Sequence, residues 1–583
     1  MTHKYLYLFL FLIFLLPVQA QDTNPDLQRE LTIEKEYTPE LHDADKINRL
    51  PEVKEPEAPK TKVEFSDYTL DYLISPYFQK LGVTNYFPDF ATSNKRGYLT
   101  AGVSTLLNID GDVGYQILQS ATNRLSIFGS HRSSNSNVTH IERDEKRRMK
   151  INDNVLGVDF SHRFKKAILS VDAGYTYSAF NYYGFPAIPQ IDPEAEKLPQ
   201  SFLLPRQINN LLKMGVGIAS AEGQKLNYRL NAGYTLLKRK HQQYDLGRPE
   251  SRILLDGDIH TRINATIGVG FAGGIKDYSH EEWSNYTTLN LNPYLTFEGD
   301  KWDARLGVKA GIQAGDVKNF VLSPDIRFHW RPTDPILFYL NVDGGIKDNS
   351  FYTIFYENRY VDPYYRVRDS KSPFDGTLGI VFSPLIGLSI DLFTGYKWVK
   401  NEHFYYVDTH FVNYLLFEPT RERSIVRQNI VPIYANAEVF KLGGLVKYHY
   451  KNVFDLSLKL VYNQWDVTKI DKINFYLFSE PIAWNKPIFT GDGNMGFKIP
   501  SIPLRVDLAY HLETGRKALS LWWSPEIVSM KDIHDVSLAA TYTINKSLSV
   551  YAKANNLLFQ KYDLWYGYPA QGFNVMAGVN WKF

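Results

Sequence analysis

The last twelve residues, Gly572 to Phe583, read G-F-N-V-M-A-G-V-N-W-K-F. Phe573, Val575, Ala577, Val579, Trp581 and Phe583 fall on one side of an extended chain; Asn574, Met576, Gly578, Asn580 and Lys582 fall on the other. Side chains alternate along a strand with a period of two, so this is a strand with one apolar face and one polar or small face. It stops on an aromatic residue.

Working backward, the same alternation recurs. In Trp302 to Gln313, Trp302, Ala304, Leu306, Val308, Ala310 and Ile312 oppose Asp303, Arg305, Gly307, Lys309, Gly311 and Gln313. Ala167 to Ser178, Lys225 to Leu236, Phe454 to Asn463 and Val536 to Ile544 repeat the pattern. Each run is at least about nine residues long, the length a tilted strand needs to cross a bilayer. Arg229, Asp303, Arg305, Lys309 and Lys459 lie within these runs. A lysine or arginine facing lipid at the midplane costs about 2–4 kcal/mol, whereas alternation places all five on the opposite face, toward a lumen. A soluble propeller would instead repeat every 40–50 or so residues, and no such repeat is present.

The connections sharpen this. Short links at Ala121 to Asn123, Lys165-Lys166, Glu222 to Gln224, Gly299 to Lys301, Pro332 to Asp334, Pro384-Leu385, Lys451-Asn452, Pro500-Ser501 and Lys546-Ser547 alternate with mostly long ones. The long ones are Ser134 to Lys150, Asn181 to Gln207, Asn349 to Pro373, Asn401 to Val431, Asp466 to Lys486, Arg516 to Lys531 and Lys561 to Gln571. Short turns on one side and long loops on the other mark a transmembrane barrel. The expected fold is all-β, an antiparallel barrel of about 22 strands over 97–583.

Composition agrees. Mean hydropathy is −0.30, which a barrel tolerates because half of each strand faces a polar lumen. Aromatics make up 15% of the 583 residues, with 40 tyrosines and 10 tryptophans, enough for interfacial girdles. With no cysteine there is no disulfide framework, thiolate metal site or lipoprotein anchor. A formal charge of +2 without a basic stripe gives no footprint for nucleic acid.

At the N-terminus, Lys4, the apolar run Tyr5 to Leu16 and the small-residue site Val18-Gln19-Ala20 read as a secretory signal peptide over 1–20. Residues 21–64, charged and carrying Pro51, Pro56 and Pro59, read as a disordered periplasmic arm. Within it Leu31 to Leu41 alternates weakly, either as plain linker or as a strand offered to a partner by β-augmentation. Residues 65–96 hold Phe65, Tyr68, Tyr72, Tyr77, Phe78, Tyr86, Phe87 and Phe90 without clear alternation, a segment expected near or inside the barrel.

The run from Asn555 to Phe583 resembles the end of TonB-dependent receptors, at Asn556-Leu557, Lys561-Tyr562, Pro569, Gly572 and Phe583. The whole chain resembles receptor-like barrels of the Bacteroidetes group. The resemblance implies an outer-membrane protein that takes part in ligand uptake. It also implies that Trp581 and Phe583 form the signal read by the barrel-assembly machinery. One departure stands out: about 76 residues separate Gln21 from Gly97, too few for the family's folded plug. A wide lumen must then be filled by the 65–95 segment, by inward-folded loops, or by another protein such as an outer-membrane lipoprotein or periplasmic partner. In that case the chain serves as an uptake barrel or as a non-transporting scaffold.

Candidate binding residues lie in two aromatic, arginine-bearing loops: Tyr352, Tyr356, Arg359 and Tyr360 in one, Tyr405, Tyr406 and Arg421 in the other. Such groups stack on sugars or grip an extended polymer or protein; packing of loop on loop uses the same residues. The lumen charges either tune permeation or pair across strands. Catalysis would need a constellation, and His534 with Asp535, or His403 and His410 with Asp408, show no triad or metal spacing. No cofactor, metal or enzyme activity is expected.

Overall fold

The computed structural model describes residues 95–583, apart from 142–143, 185–205, 222, 242–248, 282–283, 364, 414–423, 471–480 and 521–525. The signal peptide, the arm, the Leu31 to Leu41 stretch and nearly all of the 65–96 segment lie outside the described residues, as does Arg421.

Twenty-two strands form one closed antiparallel sheet, each paired with its neighbours in sequence. The final stretch closes it. Asn574–Lys582 pairs with Gly97–Ser104, Leu99 opposite Trp581 and Val103 opposite Ala577. Gly97 and Phe583 exchange backbone hydrogen bonds of 2.9 Å. Closure matters because an open sheet edge in lipid leaves backbone groups without partners. On the inner wall beside this seam, Gly102 faces Gly578, and a Cβ on either would collide with the Tyr551 ring.

The alternation holds through the wall. Trp581 is 46% exposed and Phe583 40%, while Asn574 is 3% and Asn580 8%. Leu306, Val308 and Ile312 face outward and exposed. Two aromatic girdles bound the apolar band. Trp302 opposite Trp330, with Trp581 and Phe583, marks the short-turn end; Tyr175, Tyr234, Tyr396, Trp398 and Tyr462 mark the other. Rings of this kind sit at bilayer interfaces, which makes this a barrel of the outer-membrane type.

Two stretches read as loops are largely strand. Asn123–Thr139 and Lys146–Arg163 pair to within a six-residue connection. Above the bilayer their outward face turns polar, while Val138, Met149 and Ile151 are buried on the inner one; with the lipid-facing apolar side gone and arginine or serine interspersed inside, an alternation search passes over them. Likewise Leu388–Asn413 and Ser424–Tyr450 form one long hairpin across the expected Asn401 to Val431 loop. Its register slips between Val399 and Glu402, opposite Ala437 and Ala435, with Asn401 at φ 55°. An extra residue in one strand bends it. Beyond the bulge both faces are buried, from Phe404 and Tyr406 on one to His403, Tyr405 and Val407 on the other. The hairpin is therefore packed among other loops. Two further hairpins, Lys517–Ser520 with Glu526–Ser529 and Asp563–Trp565 with Tyr568–Pro569, belong to this packing.

Candidate functional site

The outer mouth is crossed by the connection 348–369, which carries a single helical segment, α1 (Phe351–Glu357). No side chain of its own caps α1 at its start. A wall residue does so instead: the Glu250 carboxylate accepts the N–H of Phe351 at 2.9 Å and of Tyr352 at 3.2 Å. A carboxylate there satisfies unpaired donors and complements the helix dipole. Just before α1, Asp348 meets Arg252 and Lys276, the latter at 3.2 Å. Burial pushes the Asp348 carboxyl up, yet the two cations outweigh it and hold it below the usual range.

The far end of α1 is tied to the long hairpin, to another outer loop and to a wall strand. Glu357 contacts His403 on the long hairpin and Lys486, 2.8 Å away in the next outer loop. Burial raises its carboxyl, but Lys486 and His403 more than offset this and hold it well below the ordinary range. Arg359 forks onto Asp153, at 2.9 and 3.3 Å. Breaking a buried pair of this kind costs about 3–5 kcal/mol, because it strands a charge.

Aromatic rings fill the space between these ties. Tyr360 stacks on Tyr568 at 4.2 Å and meets Phe180 and Tyr183 edge-on. Burial pushes its phenol up to about 12, so it stays neutral. Tyr183 donates to the Pro569 carbonyl at 3.0 Å. Val361 bridges in parallel to Ile430, adding the connection to the edge of the long hairpin. Tyr405 lies edge-on to Trp565 at 5.0 Å, while Tyr406 packs on the opposite face with Trp484 and Leu519. Tyr352 carries Lys213 over its ring at 4.5 Å, and Tyr356 sits edge-on to Tyr352.

Six of the seven loop candidates thus meet in one cap over the mouth. Arg359, Tyr360, Tyr405 and Tyr406 are buried within it, and Tyr405 and Tyr406 lie on strand rather than loop. Sequence reading missed the groups that tie the cap to the wall: Asp153, Glu250, Arg252, Lys276, Asp348 and Lys486. Each is a lone charge, and only the register of the full barrel reveals that they converge.

On the wall below, Arg305 pairs with Asp325 at 2.8 Å and lies over Tyr294 at 3.5 Å. Lys309 meets Asp343, and Asp303 bonds His329 at 2.9 Å. Arg229 stands opposite Asp258, and Lys459 opposite Asp492, in the strand ladders. His534 and Asp535, adjacent on one strand, point to opposite faces: His534 bonds Tyr510 and Asp535 bonds Tyr562. His403 is taken up by Glu357, and the side chains of Asp408 and His410 are outside the described set.

The barrel shares its fold with solved structures. The siderophore receptor PirA from Acinetobacter baumannii superposes with a TM-score of 0.61 at 11% identity, over 84% of this chain and 81% of that one. The FrpB iron transporter from Neisseria meningitidis gives 0.60 at 8% identity, over 87% and 83%. The copper transporter OprC gives 0.58 at 10% identity, over 84% and 80%. The fold is that of the TonB-dependent receptors. No family model and no curated protein matches the sequence. The counterparts are transport receptors, not enzymes.

Proposed function

We propose that this chain is an outer-membrane, receptor-like barrel that takes part in uptake of a ligand, and that its own outer loops close it. The observation that carries the reading is α1, a short helix over the mouth tied to distant wall strands through Glu250 and Asp153 and to a neighbouring outer loop through Lys486. The similarity to siderophore, iron and copper transport receptors supports the uptake role. In this reading Tyr352, Tyr356, Arg359, Tyr360, Tyr405 and Tyr406 close the mouth at rest and meet ligand only when the connection 348–369 swings away. Closure from outside takes over the task of the plug, in keeping with a barrel of the Bacteroidetes type that lacks one.

Some of the same observations favour a second reading. Because the mouth is filled by the chain's own side chains, the barrel also suits a scaffold whose inner end receives a lipoprotein or periplasmic partner through residues 21–94. Conductance in planar bilayers separates the two. Wild type should conduct weakly, and Glu357→Gln combined with Arg359→Ala should raise conductance at least about tenfold by releasing α1. Silence in both proteins would reject the uptake reading in favour of the scaffold.

A further inference from the structure

The strands from Asn123–Thr139 to Leu226–His241 rise above the outer girdle, and their two faces differ there. Inward, Met149, Ile151, Leu211 and Leu237 are buried against the cap or its neighbours. Outward and exposed stand Lys146, Arg148, Lys150, Arg206, Lys238 and Lys240. The ladders bring them onto one continuous face: Lys150 lies opposite Asn135, Asn181 opposite Arg206, Ile208 opposite Lys240 and Asn210 opposite Lys238. Amide and hydroxyl groups hold some of them in place. Arg148 donates to Asn135 at 2.7 Å, and Arg206 donates to the Tyr177 hydroxyl at 3.1 Å.

None of the described outward-facing positions on these five strands carries a carboxylate. Other sectors differ, with Asp277, Glu438 and Asp466 on the outward face. Directly beneath the cations, on the same strand faces, Tyr175, Met214, Val216, Leu230 and Tyr234 are exposed in the lipid-facing band. Lys238 and Lys240 stand four and six residues beyond Tyr234, about 10 and 15 Å above it for a strand tilted as in such barrels. That height is above the acyl chains and level with headgroup sugars and their phosphates.

We propose that this sector of the outer wall binds the phosphorylated glycolipid of the outer leaflet, its acyl chains on the apolar band and its phosphates on the six-cation ladder. Continuity with the lipid-facing surface argues for a lipid rather than a soluble anion. A single exposed cation contributes little, but several held at fixed spacing on rigid strands act together on a multiply charged headgroup. The proposal rests on the barrel's place in the outer membrane and not on uptake, so it stands or falls separately from the conductance test.

The test uses the full chain in detergent, titrated with diphosphorylated lipid A and with the same lipid stripped of phosphate, bound lipid being counted by native mass spectrometry. Replacing Lys146, Arg148, Lys150, Lys238 and Lys240 by Gln together should weaken binding of the phosphorylated lipid about 30-fold or more. Wild type should bind the stripped lipid no better than that variant does. A control with the lumen residues Lys441, Lys447 and Lys459 changed to Gln should bind as wild type. Heat-shifted gel mobility checks folding. If the five-site protein does not fold, Lys238→Gln with Lys240→Gln should still weaken binding several-fold. Equal binding by wild type and the outer-wall variant, equal binding of stripped lipid, or an equal loss in the lumen control would each overturn the proposal.

Discussion

The long hairpin obeys two different rules along its length. From Leu388 to Trp398 it alternates, with Leu392, Tyr396 and Trp398 exposed to lipid and Asp391 and Lys397 inward. Beyond the bulge at Asn401, Phe404, Tyr405, Tyr406 and Val407 are buried on both faces. In the bilayer each face of a strand has one uniform environment, lipid or lumen. In the mouth each face meets a particular set of loops from elsewhere in the chain. The wall is held by a general pattern and the cap by individual contacts, so a substitution in one region should fail differently from a substitution in the other.

The sharpest break is expected in the wall. Gly578→Val drives a side chain into Tyr551 and the Ala101 backbone at the closing pair of strands, and overpacking of this kind costs about 3 kcal/mol. The heat-shifted, folded band should be largely lost, and the cap with it. A folded yield equal to wild type would mean that the seam can give way.

In the cap the effect should be local. The Glu357 carboxyl lies below its ordinary value of 4.5. Its contribution is therefore complete above about that pH and is lost as the pH falls through its own lower value. Its side chain keeps 34% of its surface, so Glu357→Gln should loosen the cap by only about 1–2 kcal/mol. Amide exchange across 348–369, followed from neutral pH to pH 3 or so, should show a smaller loss of protection on acidification in the variant than in wild type. Wall strands should match in both. Asp348 titrates in the same direction, so the difference between the two profiles isolates Glu357. Identical profiles would deny the Glu357 tie any energetic weight.

The smallest effect is expected in the lumen. Lys459→Gln removes one charge opposite Asp492 on a wetted wall, and stability should change by less than about 0.5 kcal/mol. A larger change in urea midpoint would show that lumen pairs are structural.

The same contrast explains what the sequence let one read. The barrel, its 22 strands, its closing strand and its short turns follow from period-two patterning, because bilayer and lumen impose that pattern wherever the chain crosses. Arg305 and Lys309 could be assigned to the inner face from neighbours such as Leu306 and Val308 alone. The aromatic stretches 349–373 and 401–431 were recognisable as special, and six residues named in them do meet. Their arrangement was not recognisable. Nothing near Arg359 announces Asp153, which lies 206 positions away. Nothing near α1 announces Glu250 as the carboxylate at its start. The upper strands at Asn135 and Lys150 escaped notice because their outward side is polar there and the apolar residues, Val138, Met149 and Ile151, have moved to the inner one.

The hydrogen bond from Tyr183 to Pro569 joins residues 386 positions apart, and it has a consequence for the order of assembly. Contacts so distant in sequence form late, since a long stretch of chain must be ordered before they can be made. Tyr183 follows an early strand and Pro569 precedes the last one, so the two meet only when the sheet has come full circle. A barrel still unsealed would have no finished cap, and a finished cap would certify a sealed barrel. Protection of Tyr183 during refolding is thus a clock for the final step of barrel closure.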